Sequence, residues 1–270
     1  MKINGNGFLS TEGQAEAQKL LERLRPYVNL VERAISLCHG GLECAEITDQ
    51  VSDIKKQKLI ACIVLARLLE ISESMVMLAK GGFSVDVTAS FRNFLEAYFI
   101  FGNVCKSPDF VPKFFNTDLK AREKLINVAN KHKTELFELV NEYATDEVRV
   151  GLKEHIASSC ASESNCWEYA ANIECTEIYD SMYRIASAAT HSTPRSLAAY
   201  VTEDGDGQIV ELHRHPQLDS IPERMIDLGG FLLNVRIAFN ELFGTNSSEE
   251  ITELREAFST VIIAENGGRL

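Results

Sequence analysis

Arg184 and His191 stand on one apolar stretch, YDSMYRIASAATHSTP at 179–194, just before a proline that would stop a helix. Residues advance by about 100° per step around a helix, so Asp180, Arg184, Ser187 and His191 share an arc of about 60°. Ile178, Met182, Ile185, Ala186 and Ala189 lie opposite, and Tyr183 sits on the boundary. A histidine transfers protons near neutral pH, and an arginine stays cationic and holds phosphate. Together they suit metal-free cleavage of RNA, with the ribose 2′-hydroxyl as nucleophile. The same types also make an ordinary solvated stripe. In that reading Asp180–Arg184 is an i,i+4 pair worth about 0.2–0.5 kcal/mol, and His191 merely favours the helix dipole at a C-terminus.

A second charged pair, Arg92 and Glu96, sits one turn apart among Phe91, Phe94, Leu95, Tyr98 and Phe99. A buried charge left unpaired costs several kcal/mol, so this pair is expected to meet the polar stripe of the later helix. Glu96 or Asp180 would then orient His191, as a third group does in catalytic triads. A purely structural network would use the same contacts.

Other constellations are weaker. Glu211, His213 and His215 alternate on a β-leaning run and would face one way, a pattern able to ligate zinc but also that of an exposed hairpin edge. Cys38, His39 and Cys44 in CHGGLEC form a lone cluster with no zinc-knuckle spacing. The glycine patterns of P-loops and dinucleotide sites are lacking, and neither a cofactor nor a resident metal is expected. Lys120, Arg122, Lys124, Lys131 and Lys133 form a basic helix face, read as solvated before it is read as an RNA groove.

Two resemblances attach to these motifs. Arg184 followed by His191 at the end of an amphipathic helix resembles the Arg-x(4–6)-His motif of HEPN domains. That likeness implies a ribonuclease of a defence or stress system, acting on RNA or a nucleotide and working as a homodimer. Ile185 departs from it, because HEPN nucleases usually carry a polar residue after the arginine. FRNFLEAYFIFGNV at 91–104 with YDSMYRIASAATHS at 179–192 is similar to a bacterial helical family of unknown function. That family pairs an Arg-x-x-x-Glu helix with a Tyr-x-x-x-Ser-x-x-x-His helix. Arg92, Glu96, Tyr183, Ser187 and His191 match, over roughly residues 50–215; this resemblance implies a fold and no activity.

The elements that must position these residues are helical. Apolar spacing predicts a helix over 14–38, kinked or split by Pro26 and ended by HGG at 39–41. Another runs over 47–80, apolar nearly all round and so central and buried, and is stopped by KGG. An aromatic helix covers 84–105, one or two amphipathic helices cover 109–142, and a polar stretch at 143–165 leads to the Arg184 helix. Two β-leaning runs around Asp-Gly-Asp-Gly predict a hairpin within 197–215. Helices over 218–243 and 248–263 follow, the second capped by Ser247 or Ser248 with Glu250. The fold class is therefore mainly α, a single helical bundle domain with a small inserted β-hairpin. Its segments are an N-terminal helical part (1–46), a helical core with the hairpin (47–215) and a C-terminal helical pair packed on it (216–270).

The 270 residues carry a formal net charge of −12, which disfavours non-specific nucleic-acid binding, and a DNA partner is not expected. Seven cysteines without regular spacing do not read as a disulfide framework. The opening residues do not read as a secretory signal. The densest apolar run, 59–71, is too short to span a membrane and contains Arg67. A reducing, cytoplasmic setting without membrane partners is expected. The alternative to a ribonuclease is a non-catalytic helical binding or scaffold protein whose Arg/Glu/Ser/His stripe is a structural network.

Overall fold

The computed structural model describes residues 1–48, 50, 52–132, 134–159, 161, 165–191 and 193–265. The protein is mainly α-helical. Its helices are α1 (Thr11–Glu43), α2 (Ser52–Lys80), α3 (Ser84–Lys106), α4 (Phe110–His132), α5 (Glu138–Tyr143), α6 (Asp146–Ser158), α7 (Cys166–Asn172), α8 (Thr176–Ile178), α9 (Arg184–Thr190), α10 (Pro194–Leu197), α11 (Ile221–Phe243) and α12 (Ser248–Glu265). A π-helical turn, Tyr179–Tyr183, joins α8 to α9. Strands β1 (Lys2–Asn4), β2 (Val201–Glu203) and β3 (Ile209–His213) make one sheet of order β1-β3-β2.

Apolar spacing drives α1, α2, α3 and α11 together. Leu24, Val31, Leu65, Leu68, Met75, Leu232 and Val235 form one continuous core with Phe91, Phe94, Phe99, Phe101 and Phe239. α12 adds Ile251, Leu254 and Phe258 to the same core. The most enclosed helix is α3, whose phenylalanines face several neighbours. α2 is less central than its composition suggests, since Ile63 and Met77 are exposed; its apolar girdle has a solvent side. No helix of the described residues is long and apolar enough to cross a membrane.

Several local expectations are revised. α1 runs unbroken through Pro26. The backbone bond lost at a proline is offset there by the burial of Leu24, Tyr27, Val28 and Val31 around it. α1 also continues through Gly40 and Gly41, because Gly41 serves close approach and not termination. A Cβ at Gly41 would overlap the Arg236 guanidinium, which packs on this last turn, at the negative end of the helix dipole. The polar stretch after 143 contains a helix, α6, whose Thr145 hydroxyl caps the Val148 N–H. Ser247 does not serve the α12 cap in the expected way: its hydroxyl accepts from Arg236 Nε (3.0 Å) and Asn240 Nδ2 (2.8 Å).

The hairpin forms, β2 pairing antiparallel with β3. A third strand joins it: β1 pairs parallel with β3 in the register Lys2↔Glu211 and Asn4↔His213. The polar leader is thus tied onto the fold. Gly5 permits this at φ +85°, where a Cβ would press on His215 at 2.7 Å.

Candidate functional site

Arg92 and Glu96 lie on one side of α3, and α9 packs across it. The arginine sits among partners for all five of its N–H donors. Nε donates to Ser187 Oγ (3.3 Å), and Nη1 to Asn93 Oδ1 (3.3 Å) and Glu96 Oε2 (3.2 Å). Nη2 donates to Glu96 Oε1 and to the Tyr183 hydroxyl, both at 2.8 Å. Tyr183 donates in turn to Glu96 Oε1 at 2.8 Å. The result is a closed network between α3 and the later helix, with Arg92 and Glu96 side chains 20% and 36% exposed. Arg92 also stacks over the Tyr183 ring, 5.1 Å from its centroid.

Electrostatics keep the tyrosine of this network protonated. Burial, then the hydrogen bond to Glu96, pushes the Tyr183 hydroxyl well above its usual range. Cys166 at the start of α7 borders the network; burial, then the Glu96 carboxylate, pushes its thiol up to about 11. That thiol is a poor nucleophile at neutral pH. α7 itself is fixed to α3 by Asn103 Nδ2, which donates to Tyr169 O at 2.8 Å.

The π turn decides which side chains reach α3. Ile178 just ahead of it and Met182 within it pack against the core. Tyr183 at its end and Ala186 past it are buried, and Ile185, expected on the apolar side, is 49% exposed. One residue inserted into a helix turns the inward seam by about 100°. The expected stripe is therefore divided. Tyr183 and Ser187 turn to Arg92, while Arg184 and Asp180 remain outside as an ion pair of 3.0 Å with side chains 66% and 55% exposed. Arg184 also stacks on Tyr179 (5.8 Å), which stacks on Tyr183. His191, the C-cap of α9, is exposed and takes neither Glu96 nor Asp180 among the described residues. The carboxylate expected to orient it is spent elsewhere.

Residues 58–209, more than half of the chain, match a family described as Family of unknown function (DUF5677). The chain belongs to DUF5677. The matched span contains every member of the Arg92 network and ends inside β3. Nothing in this match carries a HEPN-like motif or a nuclease activity over to the chain. No curated protein and no solved structure matches the chain.

The metal candidates do not converge in the DUF5677 chain. No group of three or more His, Cys, Asp or Glu side chains able to hold a metal forms among the described residues. Glu211 leans to Lys2 (3.8 Å), and His213 Nε2 is hydrogen-bonded with Thr202 Oγ1 at 2.7 Å. His39 pairs with Glu73 at 2.8 Å, and Cys38 is buried with its thiol donating to Leu232 O, far from an open ligand site. On α4, Lys120 pairs with Glu123 and Arg122 with Asp118, so that face is partly self-neutralised; Lys133 lies outside the described residues. Sequence reasoning missed Asn93 and Cys166 as neighbours of the network. The one available signal was Asn165-Cys-Trp-Glu168, a capping box that starts α7.

Proposed function

We propose that this protein acts by binding, without catalysis, and that the Arg92 network is a lock joining α3 to α9. The observation that carries this reading is the complete use of the Arg92 donors by Ser187, Asn93, Glu96 and Tyr183. A phosphate could take this guanidinium only by breaking internal bonds. Further support comes from apolar side chains left exposed on α4–α6 and the turn before α5: Leu125, Leu136, Leu139, Tyr143 and Val150. Leu125, Leu139 and Tyr143 line one cavity, and a grouped apolar exposure of this kind is typical of protein-interaction surfaces. The test compares melting of Arg92→Ala with that of Arg184→Ala and His191→Ala. A lock predicts a clear loss of stability in the first and wild-type melting in the other two. Equal melting of all three removes the lock.

A second reading, a HEPN-like metal-independent ribonuclease, is favoured by one observation. Arg184 and His191 stand at the two ends of α9, both open to solvent and both outside the network. Arg184 would stabilise phosphate charge and His191 would move the proton, with RNA or a nucleotide as substrate and a second copy completing the site. Cleavage of RNA in EDTA tests it.

A further inference from the structure

Helix α2 turns a continuous stripe to solvent. Leu59, Ile63, Arg67, Glu70, Ser74 and Met77 are all exposed, and they share an arc of about 80° over about 27 Å of helix. The two ends of the stripe are apolar, with Ile63 56% and Met77 69% exposed. A charged pair holds the middle, Arg67 Nη1 donating to Glu70 Oε2 at 2.7 Å. Large apolar side chains left open in a row mark interaction surfaces. The Ser74 hydroxyl is already satisfied, donating to Glu70 O at 2.9 Å, so covering it loses little.

At the Leu59 end, α2 and α4 border a cavity of about 420 Å³. Its wall is mostly apolar and includes Leu59, Ile60, Val111, Pro112 and Phe115; its two charged residues, Asp53 and Lys56, pair with each other at 3.9 Å. Three pairs of positions on α2 share one midpoint, between 68 and 69: Arg67 with Glu70, Ile63 with Ser74, and Ile60 with Met77. A two-fold axis through that midpoint lays a second α2 antiparallel on the first. Each Arg67 then faces the second copy's Glu70, and each Ile63 the second copy's Ser74. Each Met77 reaches the second copy's cavity beside Ile60. A parallel pairing in register would instead set Arg67 against Arg67 and Glu70 against Glu70, which like-charge repulsion suppresses. Methionine is unbranched and adaptable, and fills irregular apolar gaps well.

We propose that the α2 face is the interface of a homodimer, antiparallel and isologous, in which Met77 of each copy fills the α2/α4 cavity of the other. Every contact of such an interface is made twice. The stripe therefore supplies two methionine contacts and, between them, four charges of alternating sign. Those charges lie at exposed positions and set orientation more than affinity. The inference rests neither on the proposed binding function nor on a paired ribonuclease site.

The test is sedimentation velocity of the full chain at rising micromolar concentration. A concentration-dependent dimer is expected. Met77→Glu, Ile63→Glu and Arg67→Glu should each weaken it by about tenfold or more, since each change enters the interface twice. Chains carrying Arg67→Glu, mixed with chains carrying Glu70→Arg, should pair as heterodimers because opposite charges again face each other; either variant alone should stay largely monomeric. All these positions are exposed, so the variants should keep the fold, and circular dichroism checks this. A wild type that stays monomeric throughout overturns the proposal. So does a dimer that survives Met77→Glu, or failure of the mixed charge variants to pair. A dimer dissolved by Leu139→Glu and spared by Met77→Glu lies on the α4–α6 surface and overturns the assignment as well.

Discussion

Tyr183→Phe is the most economical way to break the lock without opening a cavity. The ring stays, with its contact to Phe99 at 6.4 Å between centroids, and only the hydroxyl is lost. That hydroxyl accepts from Arg92 and donates to Glu96, each at 2.8 Å. A hydrogen bond to a charged group contributes about 1.5–3 kcal/mol when well buried. Glu96 is 36% exposed on its side chain, so water replaces part of what is lost. The net cost should then be about 1–1.5 kcal/mol for the pair, nearer the range of neutral bonds. At about 2–4 °C per kcal/mol for chains of this size, the melting temperature should fall by about 2–6 °C. Urea melts would show a lower midpoint at an unchanged slope. Combining Tyr183→Phe with Glu96→Ala should cost less than the sum of the two, because both remove the Tyr183–Glu96 bond. A Tyr183→Phe chain that melts with the wild type, or strict additivity in the double variant, would refute the lock.

Gly229 lies against Phe258, and a Cβ there would overlap that ring; Gly229→Ala should therefore cost about 2 kcal/mol by overpacking, read as a drop in the urea midpoint. Thiol labelling followed by peptide mapping should modify exposed Cys44 in the native chain. Cys38 and Cys105, buried or partly so with thiols pushed up to about 12 by burial, should label only after denaturation. Burial raises the Asp227 carboxyl, with Arg224 opposing it. A raised carboxyl contributes stability that is full below its unfolded pKa and is lost as pH rises through its folded one. The wild type should accordingly lose stability relative to Asp227→Asn as pH climbs out of the ordinary carboxylate range, and parallel pH–stability curves for the two would contradict this.

The helical class and most helix positions were legible because apolar periodicity is a local signal that packing then rewards. Leu24, Val28 and Val31 on α1, and the phenylalanines of α3, lie where their spacing puts them. Contact between Arg92 with Glu96 and the later helix could also be anticipated, since an unpaired charge among aromatics is costly. The sharing-out of the stripe could not. It depends on one inserted residue between Tyr179 and Tyr183, which spacing rules assume away, and that insertion sends Ser187 inward and leaves Arg184 outside. β1 was missed because three residues of a polar leader carry no pattern of their own; their order comes from β3 beside them. Gly41 was read as a stop because glycine often ends helices, whereas here its missing side chain makes room for Arg236, far away in sequence.

The proposed function is binding without cleavage. Purified wild type, Arg184→Ala and His191→Ala incubated with RNA in EDTA test it most directly, with melting recorded for each. We expect intact RNA in every sample and wild-type melting in both variants. EDTA-resistant cleavage by the wild type that vanishes in both folded variants would contradict it and establish the ribonuclease.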